Sequence, residues 1–223
     1  MKENELTKKH YDQKYSGKSF YWTTRPSSTC FEVLRRMPPE RPLKLLDIGC
    51  GEGRNAVFFA RNGYEVHAFD LSEKGVEKTK RFADQARVAV HVFRADLNVF
   101  RLTETYDILF STGTLHSSHP SIREELFSNY KTFTAEGGLN VFSVFIQKPF
   151  IADAPDRDPN SHPWRSGELF TVYHDWQIEW CVEEIFDDMS SGVPHKHAVN
   201  RLIARKPTSQ QLATVDGYSI GAP

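Results

Sequence analysis

Residues 43–55, LKLLDIGCGEGRN, constrain the fold more than any other stretch. An apolar run of strand type carries one acidic residue, Asp47, and is followed by three alternating glycines, Gly49, Gly51 and Gly53. A helical segment follows at once (Asn55 to Asn62). Glycine lets the backbone turn through positive φ and lets a ligand come close to the main chain. The N–H groups of the helix's first turn have no partner inside the helix and point back at the loop. A strand, a glycine loop and a helix N-terminus together form a nucleotide-type cradle.

Two kinds of cradle answer that description, and spacing distinguishes them. A dinucleotide loop has the spacing G-x-G-x-x-G and holds a pyrophosphate. Here the spacing is Gly49-x-Gly51-x-Gly53, and Asp47 would repel a pyrophosphate but suits a cation. S-adenosylmethionine carries a sulfonium and an ammonium group. The string resembles motif I of the class I S-adenosylmethionine-dependent methyltransferases, which makes that molecule the expected cofactor.

The rest of the chain can be read against this expectation. Strand-like and helix-like segments alternate, which predicts an α/β fold with a mainly parallel sheet. Strands are expected near Leu43–Ile48, Glu65–Asp70, Val88–Phe93, Tyr106–Ser111 and Leu139–Phe145, with helices near Asn55–Asn62, Glu73–Gln85 and Ser121–Thr134. Gly137-Gly138 reads as the stop of the last helix. A loop then runs from Ile151 to Pro163, and a short helix from Ser166 to Tyr173. Two further strand-like segments, Trp176–Phe186 and Ala198–Ala204, have no helix between them and should pair antiparallel. The expectation is a single-domain Rossmann-like methyltransferase fold. Its seven-stranded sheet is mostly parallel, with an antiparallel C-terminal strand and helices on both faces. Residues 1–42 would form an N-terminal helical lid, 43–206 the cofactor-binding domain, and 207–223 a loosely docked tail.

Composition narrows the partners. The formal charge is −1 with a sequence pI near 6.8, which gives no reason to expect nucleic acid or an anionic membrane. No apolar run reaches the roughly 18 residues of a membrane span. Met1 to Lys18 is polar and charged, unlike a signal peptide. The three cysteines, Cys30, Cys50 and Cys181, form no C-x-x-C pair, which argues against a disulfide framework or a cysteine zinc site. The reading is a cytoplasmic chain acting on a small molecule; the sequence carries no signal for an oligomeric state.

Candidate cofactor residues stand at strand ends. Asp70 closes the second strand about 20 residues past the loop, where an acid can accept both ribose hydroxyls; the alternative is a cap for the following helix. Asp96 follows the third strand, where it could accept an adenine amino group. Leu71, Leu97 and Thr112 are expected beside them. Ahead of the first strand, Arg25 could pair with the cofactor's carboxylate, and Tyr21 or Trp22 could face the sulfonium.

Several segments narrow the resemblance further: LDIGCGEGRN (Leu46–Asn55), NGYEVHAFD (Asn62–Asp70), ADLN (Ala95–Asn98), YDILFST (Tyr106–Thr112), ELFTVYHDW (Glu168–Trp176) and LIARK (Leu202–Lys206). They are similar to the tellurite-resistance methyltransferase family. The resemblance implies a soft acceptor, either a thiol or a tellurium or selenium oxyanion. It also implies that His195, just before the last strand, lies over the methyl group, where it could orient or deprotonate a nucleophile. His116, Arg165, Lys196 and Trp22 are the expected substrate contacts, with Arg54 a further source of positive charge. The H-S-S-H and H-K-H pairs (His116/His119, His195/His197) invite a metal, but neither has an acidic third ligand at ligand spacing, so no metal is expected. A methyltransferase for another O- or N-nucleophile, a nicotinamide-dependent oxidoreductase and a catalytically silent cofactor-binding module are the alternatives.

Overall fold

A computed structural model of the chain describes residues 3–216. Seven strands form one sheet: β1 (Lys44–Ile48), β2 (Glu65–Asp70), β3 (His91–Arg94), β4 (Tyr106–Thr112), β5 (Thr134–Phe145), β6 (Gln177–Asp188) and β7 (His195–Arg205), in the order β3-β2-β1-β4-β5-β7-β6. Pairings among β1 to β5 are parallel, and β7 is antiparallel to both of its neighbours. The strand order reverses at β1, so the crevice outside the β1 and β4 ends is where this kind of sheet binds ligands. The fold is the expected one.

The buried strands read as apolar runs because both faces are covered. On one face Leu46, Ile48, Leu109 and Phe142 pack with Leu126, Phe127 and Tyr130 of α5 (Arg123–Thr132) and Leu169 of α6 (Glu168–Val172). On the other, Leu45, Phe110 and Val141 pack with Cys30 and Val33 of α2 (Ser28–Arg36), Ala56 and Phe59 of α3 (Arg54–Arg61), and Val76 of α4 (Glu73–Ala86). None of the helices among the described residues is long and apolar enough to cross a membrane.

Several boundaries differ from the sequence expectation; β3, for one, begins at His91 rather than Val88. β5 begins at Thr134 rather than Leu139, because Thr134 already pairs with Tyr106 before a register shift that brings Leu139 opposite Ile108. The glycine pair at 137–138 therefore lies inside a bulged strand and does not end a helix. The final hairpin is longer than its apolar residues suggest: pairing continues past Phe186 to Asp187↔Lys196 and Asp188↔His195. Finally, the region expected to be a loosely docked tail forms α7 (Ser209–Asp216), tied to β5 by Ser209 and Glu136; residues 217–223 lie outside the described residues.

Because β7 runs antiparallel to β5, its N-terminal end lies at the same sheet edge as the C-terminal ends of the parallel strands. Phe145 pairs with Val199, and His197 and His195 project beyond β5 on the hairpin with β6. This places residues some 145 positions from the glycine loop beside it. α1 (Glu3–Lys14) crosses the same edge, with Asp12 accepting a hydrogen bond from Ser72 and Asn4 donating one to Asp96.

Candidate active site

The strand ends and α1 enclose a cavity of about 610 Å³, within the usual range for small-molecule sites. The glycine loop forms its floor. Gly49 (φ +71°) lies so close to Thr114 that a Cβ would come within 2.1 Å of that side chain. Gly51 (φ +55°) faces Tyr15, whose hydroxyl would be 3.1 Å from a Cβ. Both positions need the left-handed backbone, and at Gly49 there is no room for a side chain.

Asp70 is built into this floor. Its Oδ2 accepts the Gly51 N–H at 2.8 Å and its Oδ1 accepts the Ser72 N–H at 2.8 Å. Ser72, not Asp70, caps α4, with Oγ accepting the Gly75 N–H at 3.0 Å. Burial pushes the Asp70 carboxyl up to about 6, against the pull of the backbone hydrogen bonds. Asp47 lies beneath the loop, 1% exposed, with Oδ2 unpartnered. Burial and then the nearby Asp70 charge push it up to about 7. A cation placed above the loop would favour the charged form of both carboxyls and bring these values down.

The structure sorts the expected residues. Gly49, Gly51, Asp70, Leu71, Asp96, Leu97 and Thr112 line the cavity, as do Trp22 and His116. Asp96 accepts from Asn4 at 2.6 Å and from the Asn98 N–H at 2.9 Å. Thr112 holds the Asn55 side chain at 3.1 Å. His116 is buried against Phe145 with Nδ1 unpartnered, and burial pulls its pKa down to about 3, so it is a neutral imidazole. Gly53 ends the loop as the residue before α3, and neither it nor Asp47 borders the cavity.

Four of the expected residues stand differently from these. Arg25 is exposed and off the cavity wall; the guanidinium on the wall is Arg54, which donates to the Trp22 carbonyl at 3.0 Å. Arg165 is exposed and away from the cavity, its N–H bonded to Glu168. Lys196 borders the cavity, but its ammonium pairs with Asp187 at 2.6 Å on the exposed face of the hairpin, since alternate strand residues face opposite ways. His195 does not line the main cavity; His197 does, and His195 stands directly behind it, Nε2 to Nε2 at 3.0 Å.

Other residues here have no local sequence signal. Glu52, inside the glycine loop, forms a buried ion pair with Lys78 at 2.6 Å and accepts the N–H groups of Tyr21 and Trp22. This pins the segment after α1 over the cavity. Lys14 binds Asp156 at 2.9 Å and lies 5.6 Å from the Trp22 ring centroid, on the aromatic surface expected to meet a sulfonium. Asp156 also accepts from Tyr21 at 2.7 Å. Burial works against its charge, yet these hydrogen bonds hold it below the ordinary carboxylate range.

The sheet order, the antiparallel seventh strand and the glycine cradle define a Rossmann-like fold of the S-adenosylmethionine-dependent methyltransferase type. The family model described as "Tellurite resistance protein TehB" matches residues 7–193, and the chain belongs to that family. Among relatives, "Hemagglutinin 1" of Eikenella corrodens is 29% identical over 169 residues, covering 74% of this chain and 55% of that protein. A "Probable S-adenosyl-L-methionine-dependent methyltransferase TehB" of Haemophilus influenzae is 26% identical over 166 residues, covering 74% of this chain and 57% of that one. The chain thus spans somewhat over half the length of these relatives. The crystal structure of TehB from Haemophilus influenzae superposes with a TM-score of 0.71 at 21% identity, over 89% of this chain and 66% of that one. Magnesium protoporphyrin IX methyltransferase from Synechocystis with bound cofactor superposes at 0.67 and 14% identity, over 92% and 98%. At these identities the superpositions report the fold alone.

Proposed function

We propose that the chain binds S-adenosylmethionine across the strand ends and transfers its methyl group in line to a small, soft nucleophile: a thiol, or a tellurium or selenium oxyanion. The observation that carries this reading is one cavity bordered by the glycine loop, with Asp70 hydrogen-bonded into it, and by His197, with His195 directly behind.

In this reading Asp70 accepts the ribose hydroxyls and Asp96 the adenine amino group, Leu71 and Leu97 enclose the base, and Thr112 lines the methionine end. Arg54, in place of Arg25, meets the methionine carboxylate. Residues 1–42 act as the lid, with Trp22 over the sulfonium once Lys14 gives way. The acceptor's lone pair attacks the methyl carbon as the carbon–sulfur bond breaks, leaving S-adenosylhomocysteine. The methyl is already activated, so the protein supplies alignment, dryness and a place for the acceptor's proton. That place is the His195–His197 pair, with His197 nearer the acceptor and His116 on the wall beside it. The unpaired cysteines, two of them buried, support a cytoplasmic setting. Formation of S-adenosylhomocysteine from the cofactor and a panel of acceptors tests the proposal.

A further inference from the structure

We propose that Asp188, His195 and His197 form a binding site for one divalent transition-metal ion of the Zn²⁺ class, at the edge of the methyl-transfer cavity. In sequence the histidine pair lacks an acidic third ligand. The extended hairpin supplies one, because Asp188 pairs directly across from His195 and His197 lies two residues further on the same face.

Three ligand atoms converge. His195 Nε2 and His197 Nε2 are 3.0 Å apart, and Asp188 Oδ2 is 3.5 Å from the first and 3.4 Å from the second. Donors at about 2.0–2.2 Å from one ion stand roughly 3.3–3.6 Å apart in a tetrahedron and roughly 2.8–3.1 Å apart at octahedral edges. The observed triangle falls within those limits.

The surroundings suit ligation as well. His195 Nδ1 lies 2.8 Å from the Val193 carbonyl, which assigns the proton to Nδ1 and leaves a lone pair on Nε2 facing the cluster. Phe145 lies 4.5 Å and Phe186 5.6 Å from the His197 ring, centroid to centroid, and fix its plane. Asp188 is oriented by the Met189 and Ser190 N–H groups and by the Ser190 hydroxyl. A single proton shared between the rings serves one contact of the three, whereas one cation serves all three acceptors. Two imidazoles and one carboxylate favour Zn²⁺, Co²⁺ or Fe²⁺ over Mg²⁺ or Ca²⁺, which take oxygen ligands.

The remaining coordination position faces the cavity, since His197 and Asp156 line it and Asp156 Oδ1 lies 3.9 Å from His195 Nε2. The ion's role rests on the methyl-transfer reading: it would hold the acceptor as its anion, taking over from the imidazoles the task of lowering the acceptor's pKa.

The test uses the full chain freed of metal with a chelator and titrated with Zn²⁺ by calorimetry and with Co²⁺ by visible absorption. One equivalent binds, with Co²⁺ ligand-field bands, and Mg²⁺ gives no heat. Asp188→Asn and His197→Ala each weaken binding at least tenfold, while His119→Ala leaves it unchanged and thermal melts show all variants folded. Equal affinity in wild type and Asp188→Asn, or several weak sites with no saturation, overturns the proposal. S-adenosylmethionine titrated into the same samples reads the methyl-transfer proposal separately: a chain that binds Zn²⁺ but not the cofactor keeps the metal site and loses the enzyme reading.

Discussion

Asp70 Oδ2 accepts the backbone N–H of Gly51 at 2.8 Å, so the acid that ends β2 also sets the shape of the glycine loop. One carboxylate thus serves the loop and, in the proposed complex, the ribose. Asp70→Ala should weaken S-adenosylmethionine binding by about 2 kcal/mol, the order for hydrogen bonds to a charged acceptor. It should also lower the melting temperature by several degrees, because the Gly51 and Ser72 N–H groups lose a partner. Calorimetry and a thermal melt check both. Unchanged affinity in a folded variant would make Asp70 a purely structural residue.

The raised carboxyls predict a pH dependence of defined sign. Asp47 (about 7) and Asp70 (about 6) hold their protons more tightly folded than unfolded. Their contribution is fully present below the ordinary carboxylate range near pH 4 and is lost as pH rises through 6 to 7. Asp47→Asn removes one of these titrations. The variant should melt several degrees above wild type at pH 8 and close to it near pH 4; for a chain of this size each kcal/mol is about 2–4 °C. A constant difference at both pH values would contradict the assignment.

Glu52 and Lys78 form a buried pair, their side chains 1% and 7% exposed, beneath the lid segment. Removing one partner strands the other's charge. Glu52→Ala should cost about 3–5 kcal/mol in urea unfolding, and the double variant Glu52→Gln/Lys78→Met should recover most of it. Additive losses would show that the two charges do not depend on each other.

The imidazole pair should act on the acceptor and not on the cofactor. His197→Ala and His195→Ala should each leave S-adenosylmethionine affinity within about threefold while kcat falls roughly 100-fold. The loss should shrink for an acceptor already ionised. Parallel loss of cofactor binding would move the pair to the cofactor site.

Strand ends explain which of these residues can be read from sequence. The loop glycines, Asp70 and Asp96 follow apolar runs at spacings that the parallel sheet converts directly into one crevice. Asp188 and His195 come together only through cross-strand pairing that extends beyond the last apolar residue, Phe186, into a polar string with no alternation to mark it. Glu52 and Asp156 owe their roles to Lys78, Lys14 and Tyr21, partners 26 to 142 positions away. Arg25 fits the expected role by charge and position in the sequence, yet its side chain is exposed and off the cavity wall, where Arg54 at the first turn of α3 stands. Local pattern locates strand ends; side-chain partnerships across the fold do not follow from it.

The most direct measurement incubates the chain with S-adenosylmethionine labelled in its methyl group and a panel of thiols, tellurite and selenite. It follows S-adenosylhomocysteine and labelled product by mass spectrometry. Time-dependent transfer to at least one soft acceptor, abolished by Asp70→Ala at low cofactor concentration, is the predicted result. Cofactor bound in the cavity with no transfer to any acceptor of the panel, or no binding at all, would contradict it.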